Sequence, residues 1–259
     1  MEFKVMTFNL RVDSPDDNDN AWSYRADKIA EMIIKHDPII FGIQEGIYYM
    51  LTDLEERLCN YHWLGKGRDG GNKGEFSAIF FKKDIVTVVD EGQFWLSEKP
   101  NVPGSKSWGT ECPRVCTWGH FKLQQETESE FCFYNTHLDH ISQEAREKGI
   151  QMIWDTMNTH RQQKARPAFL TGDLNAPPQN NVIKFLNDKE EIVNSYNIFE
   201  GNVGSTFHNF SGGKEGDPID YIFVTKDIYL QNTIVDRSKV NGGFPSDHYP
   251  VILKSSIQL

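Results

Sequence analysis

Ala168-Phe169-Leu170-Thr171-Gly172-Asp173-Leu174-Asn175 is the stretch on which the fold turns. Ala168 to Thr171 is a short apolar run, bounded by Pro167 and Gly172, which reads as a buried strand. It stops abruptly at Gly172-Asp173, and on its own such a stop is an ordinary turn. Working outward, the same punctuation recurs. Phe3, Val5 and Met6-Thr7-Phe8 run into Asn9, and Ile39 to Ile43 runs into Gln44-Glu45. Phe131 to Thr136 runs into His137. Ile219 to Val224 carries Asp220 at its start, and Asp247-His248 stands just before the strand Tyr249 to Leu253. Ser77 to Phe81, Val86 to Val89 and Val115 to Leu123 read as further strands.

Between these strands the period changes. Trp22, Arg25, Ala26, Ile29, Ile33 and Ile34 fit one face of a helix that ends before Pro38. Leu51, Leu54 and Leu58 mark a shorter helix, and Ile150, Ile153, Trp154 and Met157 mark one over 144–161. Strands interleaved with helices predict an α/β (α+β) layered fold with the helices outside. The chain has no internal repeat and no linker, so one domain over 1–259 is expected.

Composition bounds the function. With 27 basic against 37 acidic residues the net charge is −10, a poor overall field for tracking long nucleic acid. No apolar run approaches a membrane span, so no membrane insertion is expected. The start, Met1-Glu2-Phe3-Lys4-Val5, lacks the pattern of a signal peptide. A cytoplasmic location is expected, with an exported protein whose leader has been removed as the alternative. Cys59, Cys112, Cys116 and Cys132 form no Cys-x-x-Cys pair and read as reduced thiols, a Cys112–Cys116 disulfide being the lesser alternative.

The polar residues at the strand ends make a coherent set. Carboxylates such as Glu45 and Asp247 are hard oxygen ligands suited to Mg²⁺ or Mn²⁺. Two imidazoles, each beside a carboxylate, suit a phosphate as charged donors. A further carboxylate suits the orientation of an attacking water. Together these describe hydrolysis at phosphorus. Ser246-Asp247-His248 has the residue types of a hydrolase triad, but neighbours on one strand do not converge and no Gly-x-Ser-x-Gly elbow occurs. His137-x-x-His140 alone does not make a zinc site. Leu138-Asp139-His140 reads instead as pocket rim, with Arg146 nearby.

Six motifs in order carry a resemblance. They are Met6-Thr7-Phe8-Asn9, Ile43-Gln44-Glu45, Asn135-Thr136-His137-Leu138, Thr171-Gly172-Asp173-Leu174-Asn175, Ile219-Asp220-Tyr221-Ile222 and Ser246-Asp247-His248-Tyr249-Pro250. The chain resembles the endonuclease/exonuclease/phosphatase superfamily, the deoxyribonuclease I-like proteins. The resemblance implies a four-layer sandwich of two facing mixed β-sheets with helices on the outer faces. It also implies one catalytic domain spanning 1–259. Glu45 would bind the divalent metal, with Asn9 and Asp247 completing or supporting that site. Asp173 would orient or deprotonate the water, and Asn175 would hold the water or a phosphate oxygen. His248 would donate to the phosphate, paired with Asp220, and His137 would contact it from the other side. Glu75 falls where the family often places the carboxylate that supports His137. Arg114 is a loose match to a phosphate clamp, with a surface arginine as the commoner reading, and Thr206 is a weaker substrate candidate.

Substrate is less determined than chemistry, because the fold serves many phosphate esters. The wording is most similar to compact bacterial-type members beside the deadenylase-like exonucleases. That implies phosphodiester hydrolysis, including 3′–5′ exonuclease action on a short or single-stranded nucleic acid or nucleotide. A phosphomonoesterase acting on a sugar or inositol phosphate is the alternative. A catalytically degenerate binding module is the alternative of another class, opposed by the presence of Glu45, Asp173, Asp220 and Asp247. The loops Asp13–Asn20, Lys66–Gly74, Pro100–Pro113 and Gly201–Pro218 are expected to set selectivity. Within them Lys66, Arg68, Lys73, Lys106 and Lys214 read as solvated charges. Trp95, Trp108, Phe207, Phe210 and Phe244 are candidates for stacking or for packing. No protein partner is expected.

Overall fold

The computed structural model describes residues 2–124 and 129–257. Its strands form two six-stranded sheets. In the first the order is β11 (Ile228–Val235), β12 (Val251–Ile257), β1 (Glu2–Asn9), β2 (Ile40–Gln44), β4 (Ile79–Lys82) and β3 (Tyr61–Leu64). In the second it is β5 (Val86–Trp95), β6 (Val115–Leu123), β7 (Glu130–His137), β8 (Ala168–Asp173), β10 (Asp220–Thr225) and β9 (Ile192–Asn194). Each sheet is antiparallel except for one parallel pair near its centre, β1 with β2 and β7 with β8.

The register of those pairs builds the site. Asn9 lies opposite Gln44 in the first sheet, and His137 lies opposite Asp173 in the second. Strand β10 runs back beside β8, so Asp220 stands opposite Asp173. Strand β12 runs back beside β1, Val251 opposite Thr7, which brings Asp247 and His248 to the same edge.

Three apolar clusters explain the layering. Phe3, Val5, Ile40, Phe131, Phe133, Phe169, Ile222 and Val251 fill the space between the sheets. Helices α1 (Trp22–His36) and α2 (Tyr48–Arg57) press Trp22, Ile29, Ile33, Leu51 and Leu54 onto the outer face of the first sheet. Helices α3 (Gln143–Gln163) and α4 (Asn181–Asn187) press Ile150, Ile153, Trp154, Val182 and Leu186 onto the second. Each such side chain contributes ~1.5–3 kcal/mol on burial. The result is the expected four-layer sandwich. Ile34 departs from the expected stripe: it is 57% exposed, one position past Ile33 and off the buried face. Helix α1 stops where Asp37 turns left-handed (φ 52°) before Pro38.

A polar bolt crosses between the sheets. Asn135 of β7, fully buried, donates to Ile43 O (2.8 Å) and Ala78 O (2.9 Å), and it accepts from Gln44 Nε2 (2.7 Å). Gly42 makes room for it, since a Cβ there would lie 2.3 Å from Asn135 Oδ1.

Several elements go beyond the sequence reading. Residues Pro15–Asn20 of the acidic loop form a 3-10 helix capped by Ser14, and α4 is capped by Asn180. Strands β3, β9 and β11 were not anticipated. The four cysteines are free, so no Cys112–Cys116 disulfide forms. Among the described residues no helix is long and apolar enough to cross a membrane.

Candidate active site

The ends of β1, β2, β7, β8 and β10 and the segment before β12 meet at one cavity of about 360 Å³. Glu45, Asp173, Asn175, His137, Asp247 and His248 line it. Three of the residues that turn the chain there are non-glycine yet left-handed: Arg11 (φ 57°), Glu45 (φ 63°) and Asn175 (φ 47°). Such conformations persist only where surrounding contacts enforce them. Here they do, since Arg11 N donates to Asn9 Oδ1 (3.0 Å) and Asn175 N to Asp173 Oδ1 (2.9 Å).

One end of the site is acidic. Glu45 accepts from Asn9 Nδ2 (2.9 Å) and from Val12 N (3.0 Å). Burial pushes its carboxyl up, but the charge of His248 and these donors outweigh that and leave it below its ordinary value. Burial pushes the Asp247 carboxyl up, against the His248 charge and with the repulsion of Glu45. Arg11 Nε stands 3.9 Å from Asp247 Oδ2 while holding Asp17 in a two-point ion pair. The half-buried Glu45 and the buried Asp247, whose carboxyl the Glu45 charge raises, fit the hard divalent ion that the resemblance implies.

The centre is a proton-handling group. Asp220 Oδ2 meets His248 Nδ1 at 2.9 Å, which leaves Nε2 3.7 Å from Asp173 Oδ2. Burial works against charge on His248, but Asp220, Asp173 and Asp247 outweigh it and raise the imidazole to about 10. Burial and the Asp220 charge push the Asp173 carboxyl up. Asn9 Nδ2 also donates to Asp173 Oδ2 (3.1 Å), so one amide spans the acidic end and the centre. Asp173, Asp220 and His248 offer ligand atoms within 4.8 Å of one another. With His248 Nδ1 bonded to Asp220 and Nε2 turned towards Asp173, the trio has the geometry of a proton-handling group.

The other end is cationic. His137 Nε2 lies 3.0 Å from Asn175 Nδ2, and the same amide nitrogen donates to Leu138 O (3.0 Å). That second bond fixes the amide, so His137 Nε2 accepts and its proton sits on Nδ1. Burial, then the charge of Arg114, holds this imidazole well below its ordinary value. Glu75 does not support His137 as the resemblance implied. It is drawn instead to Arg68 Nη1 at 2.8 Å, with burial raising its carboxyl. Arg114 is only 6% exposed, not a surface arginine, and Nη2 donates to His140 Nδ1 (3.0 Å). Arg68 and Arg114 share one recess with Glu75 and His137. Thr206, expected as a weak substrate contact, is fully buried and accepts from Ile219 N (3.0 Å) and Asp220 N (3.2 Å), which anchors the start of β10.

Sequence reading missed Arg68, which it took for a solvated charge. It left Phe207 balanced between stacking and packing, and Phe207 lines the cavity. Trp95 is core, its Nε1 donating to Arg68 O (2.6 Å), and that bond holds the loop that carries Arg68. Asp139 is a turn anchor that accepts from Ser142 N (2.6 Å), while His140 reaches the cavity rim.

The chain is similar to known proteins over nearly its whole length. The model of the endonuclease/exonuclease/phosphatase family matches residues 6–248. An endonuclease/exonuclease/phosphatase family protein from Bacteroides thetaiotaomicron superposes with a TM-score of 0.93 at 35% identity, over 100% of this chain and 99% of that one. A mannosyl-6-phosphatase from Bacteroides thetaiotaomicron VPI-5482 superposes with a TM-score of 0.93 at 36% identity, over 98% and 100%. The human Nocturnin catalytic domain shares the fold, with a TM-score of 0.77 at 19% identity over 99% and 94%. A search of curated proteins finds no match. The chain belongs to the endonuclease/exonuclease/phosphatase family and is a metal-dependent hydrolase of phosphate esters.

Proposed function

We propose that residues 1–259 form one catalytic unit that removes a terminal phosphate from a sugar phosphate. The observation that carries this reading is the pairing of Arg68 with Arg114 in the recess beside His137. A phosphate monoester carries about −1.5 to −2 charges near neutrality, whereas an internal diester carries one. Arg114, Arg68 (which also pairs with Glu75) and the His248 imidazolium together supply more donors than a singly charged diester needs. The cavity of about 360 Å³ suits a small ester rather than a polymer. The mannosyl-6-phosphatase, alike over nearly both full lengths, points the same way. This reading moves the monoester ahead of the diester that the wording of the motifs favoured.

Glu45 and Asp247, supported by the Asn9 amide that donates to Glu45, would hold the divalent ion, for which Mg²⁺ or Mn²⁺ suits the oxygen donors. Such an ion supplies Lewis-acid polarisation of a phosphoryl oxygen. Asp173 is the proton acceptor for the attacking water: Asn175 N and Asn9 Nδ2 fix its two oxygens in place. His248 Nε2–H faces the phosphate, kept charged and oriented by Asp220 at Nδ1. Arg114 and Arg68 bind the remaining oxygens, and His137, neutral, presents Nδ1–H. A cytoplasmic site of action belongs to the same reading.

The test is phosphate release from mannose 6-phosphate set beside cleavage of bis-p-nitrophenyl phosphate, with Mg²⁺, Mn²⁺ or EDTA. Metal-dependent release from the monoester, exceeding diester cleavage at equal concentration, is expected. Faster diester cleavage would return the phosphodiesterase reading to first place.

A further inference from the structure

The segment Thr206–Phe207–His208 runs extended against Asp247–His248–Tyr249. His208 N donates to Asp247 O (2.8 Å) and Tyr249 N donates to Thr206 O (2.8 Å), with Phe207 bridged to His248. Side chains alternate along an extended segment. Thr206 and His208 therefore turn inward, where His208 stacks on Tyr249 with ring centroids 3.9 Å apart. Phe207 turns outward into the cavity, its ring 5.0 Å from the His248 imidazole and 43% exposed. Asn209 and Phe210 then adopt left-handed backbone (φ 46° and 59°), which returns Asn209 to the cavity wall and lays Phe210 over the buried Arg25 guanidinium at 5.5 Å.

A phenylalanine left this exposed forgoes part of the stabilisation that its burial would contribute. Its position is nevertheless fixed by backbone bonds to the strand segment that carries His248. Phe207, Ile219 and Val12 are the apolar side chains that line the cavity, and Arg11, Arg114, His140 and Asn209 are among its polar ones. One apolar face with polar edges matches a pyranose, which has a C–H face and a rim of hydroxyls. A nucleobase is apolar on both faces, and among the described residues no second phenylalanine, tyrosine or tryptophan lines the cavity to complete a sandwich.

Resting on the phosphomonoesterase reading, we infer that Phe207 is the platform for the pyranose ring that bears the scissile phosphate, with the Asn209 amide at the ring's edge. Phe207 is then the residue that selects cyclic over acyclic phosphate esters. It touches the leaving group and not the phosphorus, so its contribution falls on KM more than on kcat.

The test compares mannose 6-phosphate with glycerol 3-phosphate, an acyclic monoester, in the Mg²⁺-loaded wild type and in Phe207→Ala and Phe207→Trp. The ratio of kcat/KM for the two substrates is internal to each protein, so partial misfolding cancels. In Phe207→Ala the ratio should fall about tenfold through KM, the scale of one lost ring contact. Phe207→Trp should restore most of it. Equal losses on both substrates, or an unchanged ratio, would overturn the platform. If the wild type releases no phosphate from either ester but cleaves bis-p-nitrophenyl phosphate, the phosphomonoesterase reading itself is overturned.

Discussion

His137 at the end of β7 and His248 before β12 stand on two sides of Asp173, their Nε2 atoms 3.5 and 3.7 Å from the same oxygen. Both are buried. Yet His248 has a carboxylate on its far nitrogen and is held charged, while His137 has an amide on Nε2 and two arginines beside it and is held neutral. Depth of burial therefore does not decide protonation here, and the identity of the neighbouring side chain does. Burial and then the Arg114 charge hold His137 neutral, and Glu75, the carboxylate in the same recess, is paired with Arg68 rather than with the imidazole.

The largest expected effect comes from removing what the two histidines share. Asp173→Asn should lower kcat by about 10³–10⁴-fold, the scale of lost general-base catalysis, while Mn²⁺ binding measured by calorimetry stays near wild type. Near-normal turnover in that variant would take Asp173 out of the proton step. Asp220→Asn should cost about 10²–10³ in kcat, since the imidazole loses both charge and orientation. An intact rate would mean that Asp220 serves only the fold. Glu45→Gln should weaken Mn²⁺ binding by at least about tenfold, and unaltered affinity would move the metal elsewhere.

Arg68→Gln frees Glu75, so the His137 imidazole should titrate higher by NMR, and KM for a monoester should rise about tenfold, as for one lost charge-assisted contact. A His137 that titrates as before would detach Arg68 from its electrostatics. The smallest effect concerns stability. A histidine whose folded value lies below its unfolded value costs nothing while neutral, and it destabilises the fold as pH falls through the ordinary value near 6.5. His137→Asn should therefore lose less melting temperature than wild type between pH 7.5 and 5.5. Parallel losses in the two proteins would show that His137 is not buried neutral.

Much of this was legible because strand ends leave signatures. Asn9, Glu45, His137, Asp173 and Asp247 each border an apolar run, and the register of two parallel pairs brings them together. Arg68 left no such mark. It sits among glycines and lysines, and it is held by its backbone bond to Glu75 O (2.8 Å) within the loop and by the bond from Trp95 Nε1, which comes from β5. Glu75 was misplaced for the same reason, because its partner comes from that loop. Arg114 looked like a surface residue because local sequence does not record that His140 and Asp139 close over it. Strand β11 was missed because its alternation is broken by a bulge between Leu230 and Asn232.

The Asn135 bolt has a consequence for how such a protein changes over generations. Alignment between the acidic end, built on the first sheet, and the proton-handling centre, built largely on the second, is kept by Asn135, Gln44 and Gly42 inside the sandwich. None of it depends on the loops that face the substrate. Loops carrying Arg68 or Phe207 are thus free to drift, lengthen or be exchanged, and the chemistry stays in register while the clientele turns over. A mutation at Gly42, far from any ligand, would close that freedom more surely than most changes at the rim.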